Sequence, residues 1–443
     1  MKKHIFTAVF LLLILAPALS AQALRGSYFF ETSPQRGKLN AAFAPQVNYV
    51  SVPLLGAVGY DAFSNVGLGN FVFPSGGNLY TFLHENVPAD TFLGKLPAED
   101  PYYKGRMEMD LLGAGFRLGG DGFMTVGLSM TGEAYALLPG EFLRFAKQNE
   151  NGSYPGPLVE GTTYGVLSLG YSHDLSALVE GLRIGGRIKL LAGLYAGSLN
   201  LSRLDVAIQA DNVSVATQGE GYLAGATWND KKIQFDNAGI RGIGAAVDLG
   251  IEYRLKLDGF INGVNLSASV NNLGKLGFNK GISMLTTGAT ASFSGLNGIS
   301  SDYDFKGNLD RVVDDFSRLA TISSSPADSY EPVFAPSIYA GVEVPFLREM
   351  MSVGVLYYRA MGFDHVMASY NVSPVSWLNI GINGTFLGAA NTYGCYAEFI
   401  PKKWVGVFFG LEKASLKTNP QHIPIDNFTE SACLGVNIVF GGK

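Results

Sequence analysis

The sequence predicts an all-β protein: a transmembrane antiparallel β-barrel of about fourteen strands, with an N-terminal plug-like segment and long external loops. Three observations predict it. The chain is 47% hydrophobic and 12% aromatic but only 16% charged, against roughly 25% charged residues in soluble proteins. Past its first 23 residues it holds no uncharged apolar run of the roughly 20 residues that a membrane helix needs. Apolar residues alternate with small or polar ones in segments of about ten, as a wall with one lipid face and one wet face requires. Only helices and closed barrels satisfy every backbone group in lipid, so strands of this kind must close on themselves. A secreted β-sandwich also alternates in short strands, but it would carry more surface charge and fewer consecutive long hairpins.

Taken in order, residues 1–23 read as a secretory signal peptide: Lys2 and Lys3, an apolar run from Ile5 to Leu15, then Ala16-Pro17-Ala18 and the small-residue pattern Ala21-Gln22-Ala23. The run is too short for a retained spanning anchor. Removing Lys2 and Lys3 moves the formal charge from −5 to −7, because 32 basic residues become 30 against 37 acidic ones. Nucleic-acid binders carry clustered basic surface, so that class of partner is excluded.

Residues 24–106 contain Pro34, Pro45, Pro53, Pro74, Pro88, Pro97 and Pro101 among aromatic stretches. Proline is poorly tolerated in a paired strand. The segment therefore fits a plug inside the barrel that also supplies one wall strand from 46–73, or else a periplasmic tail or an irregular first hairpin.

The barrel proper is expected over 107–443, with strands near 107–118, 123–133, 163–172, 182–195, 241–254, 260–272, 336–346, 350–360, 365–373, 377–387, 391–400, 404–412 and 431–440. The alternation is plain in Leu378, Ile380 and Ile382 against Asn379, Gly381 and Asn383, and in Val264, Leu266 and Ala268 against Asn265, Ser267 and Ser269. With the N-terminal strand these make the even number that single-chain bacterial barrels have. A further pair within 199–235 would make sixteen.

Tight links fall at 119–122, 257–259, 345–349, 373–376 and 401–403, and long ones at 134–162, 196–240, 273–335 and 413–430. Counting back from a last strand that ends at the periplasm, every one of these tight links is periplasmic and every long one external, the asymmetry such barrels show. Within the long links, 308–320 sets Leu309, Val312, Val313, Phe316 and Leu319 at helical spacing, and Gly140 to Ala146 fits a second short helix.

No catalytic constellation emerges. His4, His84, His173, His365 and His422 are scattered, and neither a Gly-x-Ser-x-Gly elbow nor a phosphate-binding glycine loop occurs. No cofactor, metal or enzymatic role is expected. Cys395 and Cys433 fall on non-adjacent strands and opposite faces, which disfavours a disulfide. The polar parity face carries Arg117, Arg187, Lys189, Asp248, Glu252, Glu343, Glu398 and Glu412. These are the candidate lumen-lining residues, since a charge facing lipid at mid-depth costs a few kcal/mol. They would line a solute path, or neutralise one another in a network that fills the interior.

Several stretches carry a resemblance: Leu39-Asn40-Ala41-Ala42-Phe43-Ala44-Pro45, Asn48-Tyr49 through Pro53, Leu79-Tyr80-Thr81-Phe82-Leu83, and Ser269-Val270-Asn271-Asn272-Leu273-Gly274. Together they resemble an uncharacterised family of bacteroidete outer-membrane β-barrels, over nearly the whole mature chain. Asn40-Ala41-Ala42-Phe43 stands where Asn-Pro-Ala-Phe is usual, and Phe278 where a tryptophan is usual. More distantly, the proline-broken N-terminus and the strand count resemble the long-chain fatty-acid transporter (FadL-like) superfamily. That resemblance implies a cell outer-membrane location, outer-membrane lipid around the wall, and passive uptake of small hydrophobic molecules past an N-terminal hatch. The alternative is a non-conducting structural or secretion-partner barrel that meets a protein partner through its external loops.

Overall fold

The computed structural model describes residues 24–441 except 76–77, 149, 210–211, 230–231, 237–238, 280, 288–290, 293–320, 328, 388–390, 401–403 and 414–426. Its wall starts with β1 (Asn48–Ser51) and β2 (Val58–Ser64), two halves of one wall position. It continues through β3 (Tyr102–Leu118), β4 (Gly122–Leu137), β5 (Leu158–Asp174), β6 (Leu182–Gln209), β7 (Gly242–Lys256), β8 (Gly263–Phe278) and β9 (Ser337–Phe346). The remaining strands are β10 (Met351–Ala360), β11 (Phe363–Val375), β12 (Leu378–Phe386), β13 (Thr392–Phe399), β14 (Trp404–Lys413) and β15 (Phe428–Phe440).

Each strand pairs antiparallel with the next, and β15 closes the ring on β1 and β2, with Asn48 opposite Phe440 and Val58 opposite Leu434. Counting β1 and β2 as one, the closed wall has fourteen positions, as the alternation predicts. Among the described residues no helix is long and apolar enough to cross a membrane.

The alternation dictates which way each side chain points. In β7, Ile243, Leu249 and Ile251 are exposed on the outer surface while Ala246, Asp248 and Glu252 are buried inside. The same pattern recurs in Val353 and Val355 of β10, Ile380 and Ile382 of β12, and Val405, Val407 and Phe409 of β14, all exposed. An apolar surface of this extent around a closed wall is stable only against lipid. Cys395 lies exposed and Cys433 buried.

Bulges break the period at four places in the described wall, two of them beside the lumen's charged residues. Asn271 and Asn272 of β8 together oppose Asp248, and Leu111 of β3 is the extra residue between Asp110 and Leu112. Each bulge flips parity, so the side chains on either side of it keep one face only by changing from even to odd numbers in β3 and from odd to even in β8.

The short links 119–121, 257–262, 347–350 and 376–377 lie at the same end as the C-terminus, and the long links lie at the other. Gly119 turns with φ +69°, where a side chain would be strained. Two links on the long-loop side are also short, Met361-Gly362 and 387–391. The pair sought in 199–235 does not enter the wall. Strand β6 instead runs on past the barrel rim and pairs with Asn212–Ala224, which pairs with Gly281–Thr287, and Gly281–Thr287 pairs in turn with Thr321–Ala327. The helix expected near 140 spans Gly140–Gln148, and the one expected at 308–320 lies outside the described residues.

The range 24–101 divides into three, and 102–106 already belong to β3. Residues 24–47 run inside the barrel, 48–64 form the wall, and 65–101 stand at the long-loop end. There Phe73, Val87 and Phe92 form a small core with Leu143 of the Gly140–Gln148 helix.

Candidate luminal site

Residues 24–47 cross the lumen and touch strands on every side. The Arg25 guanidinium pairs with Asp61 of β2 at 2.5 Å and donates to Ser431 of β15 at 3.0 Å. Tyr28, Phe29 and Phe30 pack with Tyr358, Tyr396, Phe408 and Cys433 into one buried cluster, which fills the β10–β15 side of the interior. Glu31 pairs with Arg254 at 2.5 Å, and Lys38 reaches both Glu108 at 3.0 Å and Asp110 at 2.6 Å. Burial works against the charge on Glu31, yet Arg254 and Arg36 hold its carboxyl below the ordinary value. Burial likewise opposes the Lys38 charge, and Asp110 with Glu108 outweighs it and raises that ammonium's value. Buried charges persist only when paired and hydrogen-bonded, which is the role these contacts fill.

The eight candidate residues are all on the inner side, in different settings. Arg187 and Lys189 both pair with the fully buried Asp248, at 3.1 and 2.8 Å, and Asp248 also accepts the Asn272 amide at 2.8 Å. Glu252 pairs with Arg36 at 3.3 Å and Arg254 at 2.8 Å. Arg117 donates to the Pro45 carbonyl at 3.2 Å. Glu343 accepts from Asn265 at 2.9 Å, and Glu398 accepts from Asn379 at 2.9 Å and Thr32 at 3.3 Å. Glu412 accepts from Thr392 at 2.5 Å and from Thr385.

A cavity of about 150 Å³ lies above the N-terminal segment on the β3–β9 side. Gln35, Lys38 and Leu39 of the N-terminal segment, Arg106, Glu108 and Asp110 of β3, and Tyr164, Phe334 and Tyr339 border it. Of the eight candidates only Arg187 and Lys189 border it. Arg106, Glu108 and Asp110 escape strict alternation because the Leu111 bulge sets them on the opposite parity from Arg117. Asp61, Arg25 and Lys38 escape it because they lie in the proline-broken region. The only sequence signal for them is a charge in an otherwise apolar stretch.

Two features shape access to the cavity. Across the lumen, Phe363 at the start of β11 meets Phe63 of β2 at 5.8 Å and Tyr102 of β3 at 5.6 Å. Lys104 lies 4.4 Å from the Phe363 ring centroid and donates to the Met361 carbonyl at 3.1 Å. The short β10–β11 link thus bends over the mouth and bridges it, and Ala360 and Met361 border the cavity.

At the wall, the stretch 52–57 between β1 and β2 bulges out of the regular register while Val52 and Leu55 still bond Val436 and Ala57 still bonds Asp110, with Leu54 in the left-handed region at φ +65° and both Leu54 and Leu55 exposed. Leu54 bonds the carbonyl of the bulged Leu111 at 3.3 Å. Ser51, Leu112 and Gly113, which flank this stretch, border the cavity.

A family model described as a family of unknown function, DUF5723, matches residues 41–410. The chain belongs to that family. No curated protein matches it. Among solved structures it is similar to the Pseudomonas putida toluene transporter TodX, with 12% identity, 90% of each chain covered and a TM-score of 0.41. It is similar also to the CymD monoaromatic hydrocarbon channel, with 11% identity, 93% of this chain and 94% of that chain covered and a TM-score of 0.47. A Pseudomonas aeruginosa FadL homologue gives 9% identity, 94% of each chain covered and a TM-score of 0.42.

Proposed function

We propose that this protein is an outer-membrane barrel for the passive uptake of small hydrophobic molecules, which enter at the long-loop end, occupy the cavity and leave through the wall at 52–57. The observation that carries the reading is the position of the cavity: it abuts a wall position where the 52–57 stretch faces the Leu111 bulge of the neighbouring strand. Apolar solutes gain by leaving water for a partly apolar pocket and then for lipid. Below the cavity the N-terminal segment fills the lumen, so the same route offers no water-filled path for ions. Arg106, Glu108 and Asp110 add polar groups that orient a solute bearing a hydroxyl or other polar substituent.

The filled lower lumen also favours a second reading, a barrel that conducts nothing and serves as a structural or secretion partner. A Gly113→Val exchange separates the two. A Cβ at Gly113 would lie 2.9 Å from Ser51 Oγ, so valine narrows the cavity where it meets the wall. Uptake of a labelled monoaromatic solute into liposomes should fall about tenfold in the folded variant, a loss of roughly 1.4 kcal/mol. Equal uptake by both proteins would remove the exit at 52–57, and none by either would remove the uptake reading.

A further inference from the structure

Two buried oxygens beside Gly394 lack a donor, and the chain leads its own first residues towards them. We propose that removal of residues 1–23 completes a buried ion pair: the α-ammonium of Leu24, free only after cleavage, is the donor for Oε2 of Glu412 and Oδ1 of Asn383. The proposal rests on cleavage after Ala23, and it holds whether or not the barrel carries a solute.

In the wall, Gly394 of β13 pairs with Asn383 of β12 on one side and with Glu412 of β14 on the other. Asn383 is 8% exposed and Glu412 1%. Thr385 and Thr392 donate to Oε1 of Glu412. Among the described residues, however, neither Glu412 Oε2 nor Asn383 Oδ1 accepts a hydrogen bond. A positive charge is missing as well. Glu412 and Asp61 lie opposite Ser431 from either side, and the Arg25 guanidinium pairs with Asp61 at 2.5 Å. Burial opposes the Arg25 charge, and Asp61, Tyr358 and Glu412 outweigh it. One cation therefore serves two carboxylates. A buried carboxylate without its own cation and with an open lone pair is costly. An ammonium brings a positive charge and three N–H donors, which answers both deficits.

The course of the N-terminal segment brings Leu24 to this place. Thr32 donates to Glu398 at 3.3 Å, and Ser33 meets the Tyr396 hydroxyl at 3.3 Å. Further towards the start, Gly26 packs so closely that a Cβ on it would lie 2.7 Å from the Tyr396 Cβ. The segment thus runs along β13 from Glu398 towards Gly394, and the turn Leu24–Ser27 lies against β12 and β13. Arg25 is 5% exposed and Ser27 fully buried, so this turn sits in packed interior. In the precursor the Leu24 nitrogen is an uncharged amide. Hydrolysis of the Ala23–Leu24 bond by a leader peptidase leaves a carboxylate on Ala23 and an amine on Leu24, which takes up a proton at neutral pH.

Two measurements on the processed, folded barrel test the pair. The intact mass of protein purified from outer membranes should correspond to residues 24–443. A reagent selective for α-amines should modify Leu24 at least about tenfold more slowly in the folded barrel than in the unfolded chain. In a variant with Gly-Ser inserted between Ala23 and Leu24 the ammonium is displaced by two residues. Glu412→Gln should then lower the melting temperature of the wild type by about 5 °C and that of the insertion variant by less than about 2 °C, because the pair is already lost there. A different first residue, equal labelling of folded and unfolded chains, or an equal loss from Glu412→Gln in both backgrounds would overturn the proposal. The labelling uses no substitution, so it decides the matter even where Glu412→Gln fails to fold.

Discussion

At the scale of single residues, the interior is a set of charges that tolerate burial because each has found a partner. Asp248 holds two cations at once, and the N-terminal segment is tied in at Arg25, Glu31, Arg36 and Lys38. Glu31 gives this arrangement a pH dependence with a definite sign. Its carboxyl is held below the ordinary value near 4.5, so its contribution is present in full above that value and is lost as pH falls through the folded one. Hydrogen-exchange protection of the Tyr28, Phe30 and Ser33 amides, each bonded three residues back, should therefore hold down to about pH 5 and decline below about pH 4. In Glu31→Gln the protection should already be lower at neutral pH, with the difference from wild type shrinking in acid. Parallel curves for the two proteins would show that Glu31 is not the group responsible.

Much of this residue pattern is legible in advance. Period-two alternation puts Arg187, Lys189, Asp248 and Glu252 on one face, and in the structure Arg187 and Lys189 pair with Asp248 while Glu252 pairs with Arg36. What alternation cannot see is a change of phase. The Leu111 bulge hides Glu108 and Asp110, and the Asn271-Asn272 bulge puts two successive side chains on the same face. No composition rule marks a bulge whose residues are ordinary strand formers, whereas the asparagine pair, with Asn272 at φ +61°, carries the left-handed preference that would have signalled one.

At the scale of elements, the strand positions and the tight turns follow from short-range patterning and were within reach of the sequence. The prolongation of β6 to Gln209 and its return through Asn212–Ala224 were not, because a hairpin standing above the rim alternates just as a wall strand does. Only the closure of the ring without it decides the matter. The threefold division of residues 24–101 is likewise tertiary: proline marks where strands cannot run but not which end of the barrel the chain then visits.

The β10–β11 link belongs to this scale too. A two-residue turn on the side that carries the long loops gains its meaning from what it touches across the lumen. Phe363 is the hub of that contact, so Phe363→Ala should widen the mouth and raise the initial rate of solute uptake several-fold, without altering ion conductance, which the segment below controls. An unchanged rate in the folded variant would mean that the bridge is a wall of the cavity and not a barrier to entering it.

At the scale of the whole molecule, a closed wall with an apolar exterior solves the problem of leaving no backbone group unpaired in lipid, and the interior is then free to be shaped by function. It is divided: the β10–β15 side is packed solid with the aromatic residues of the N-terminal segment, while the β3–β9 side keeps a cavity that reaches the irregular wall position. The most direct test is to reconstitute the folded wild-type protein and measure uptake of a labelled monoaromatic solute and ion conductance on the same preparation. Solute flux well above that of empty liposomes, with conductance at background, is the predicted result. Silence in the uptake assay, or an open-pore conductance in the bilayer, would contradict it.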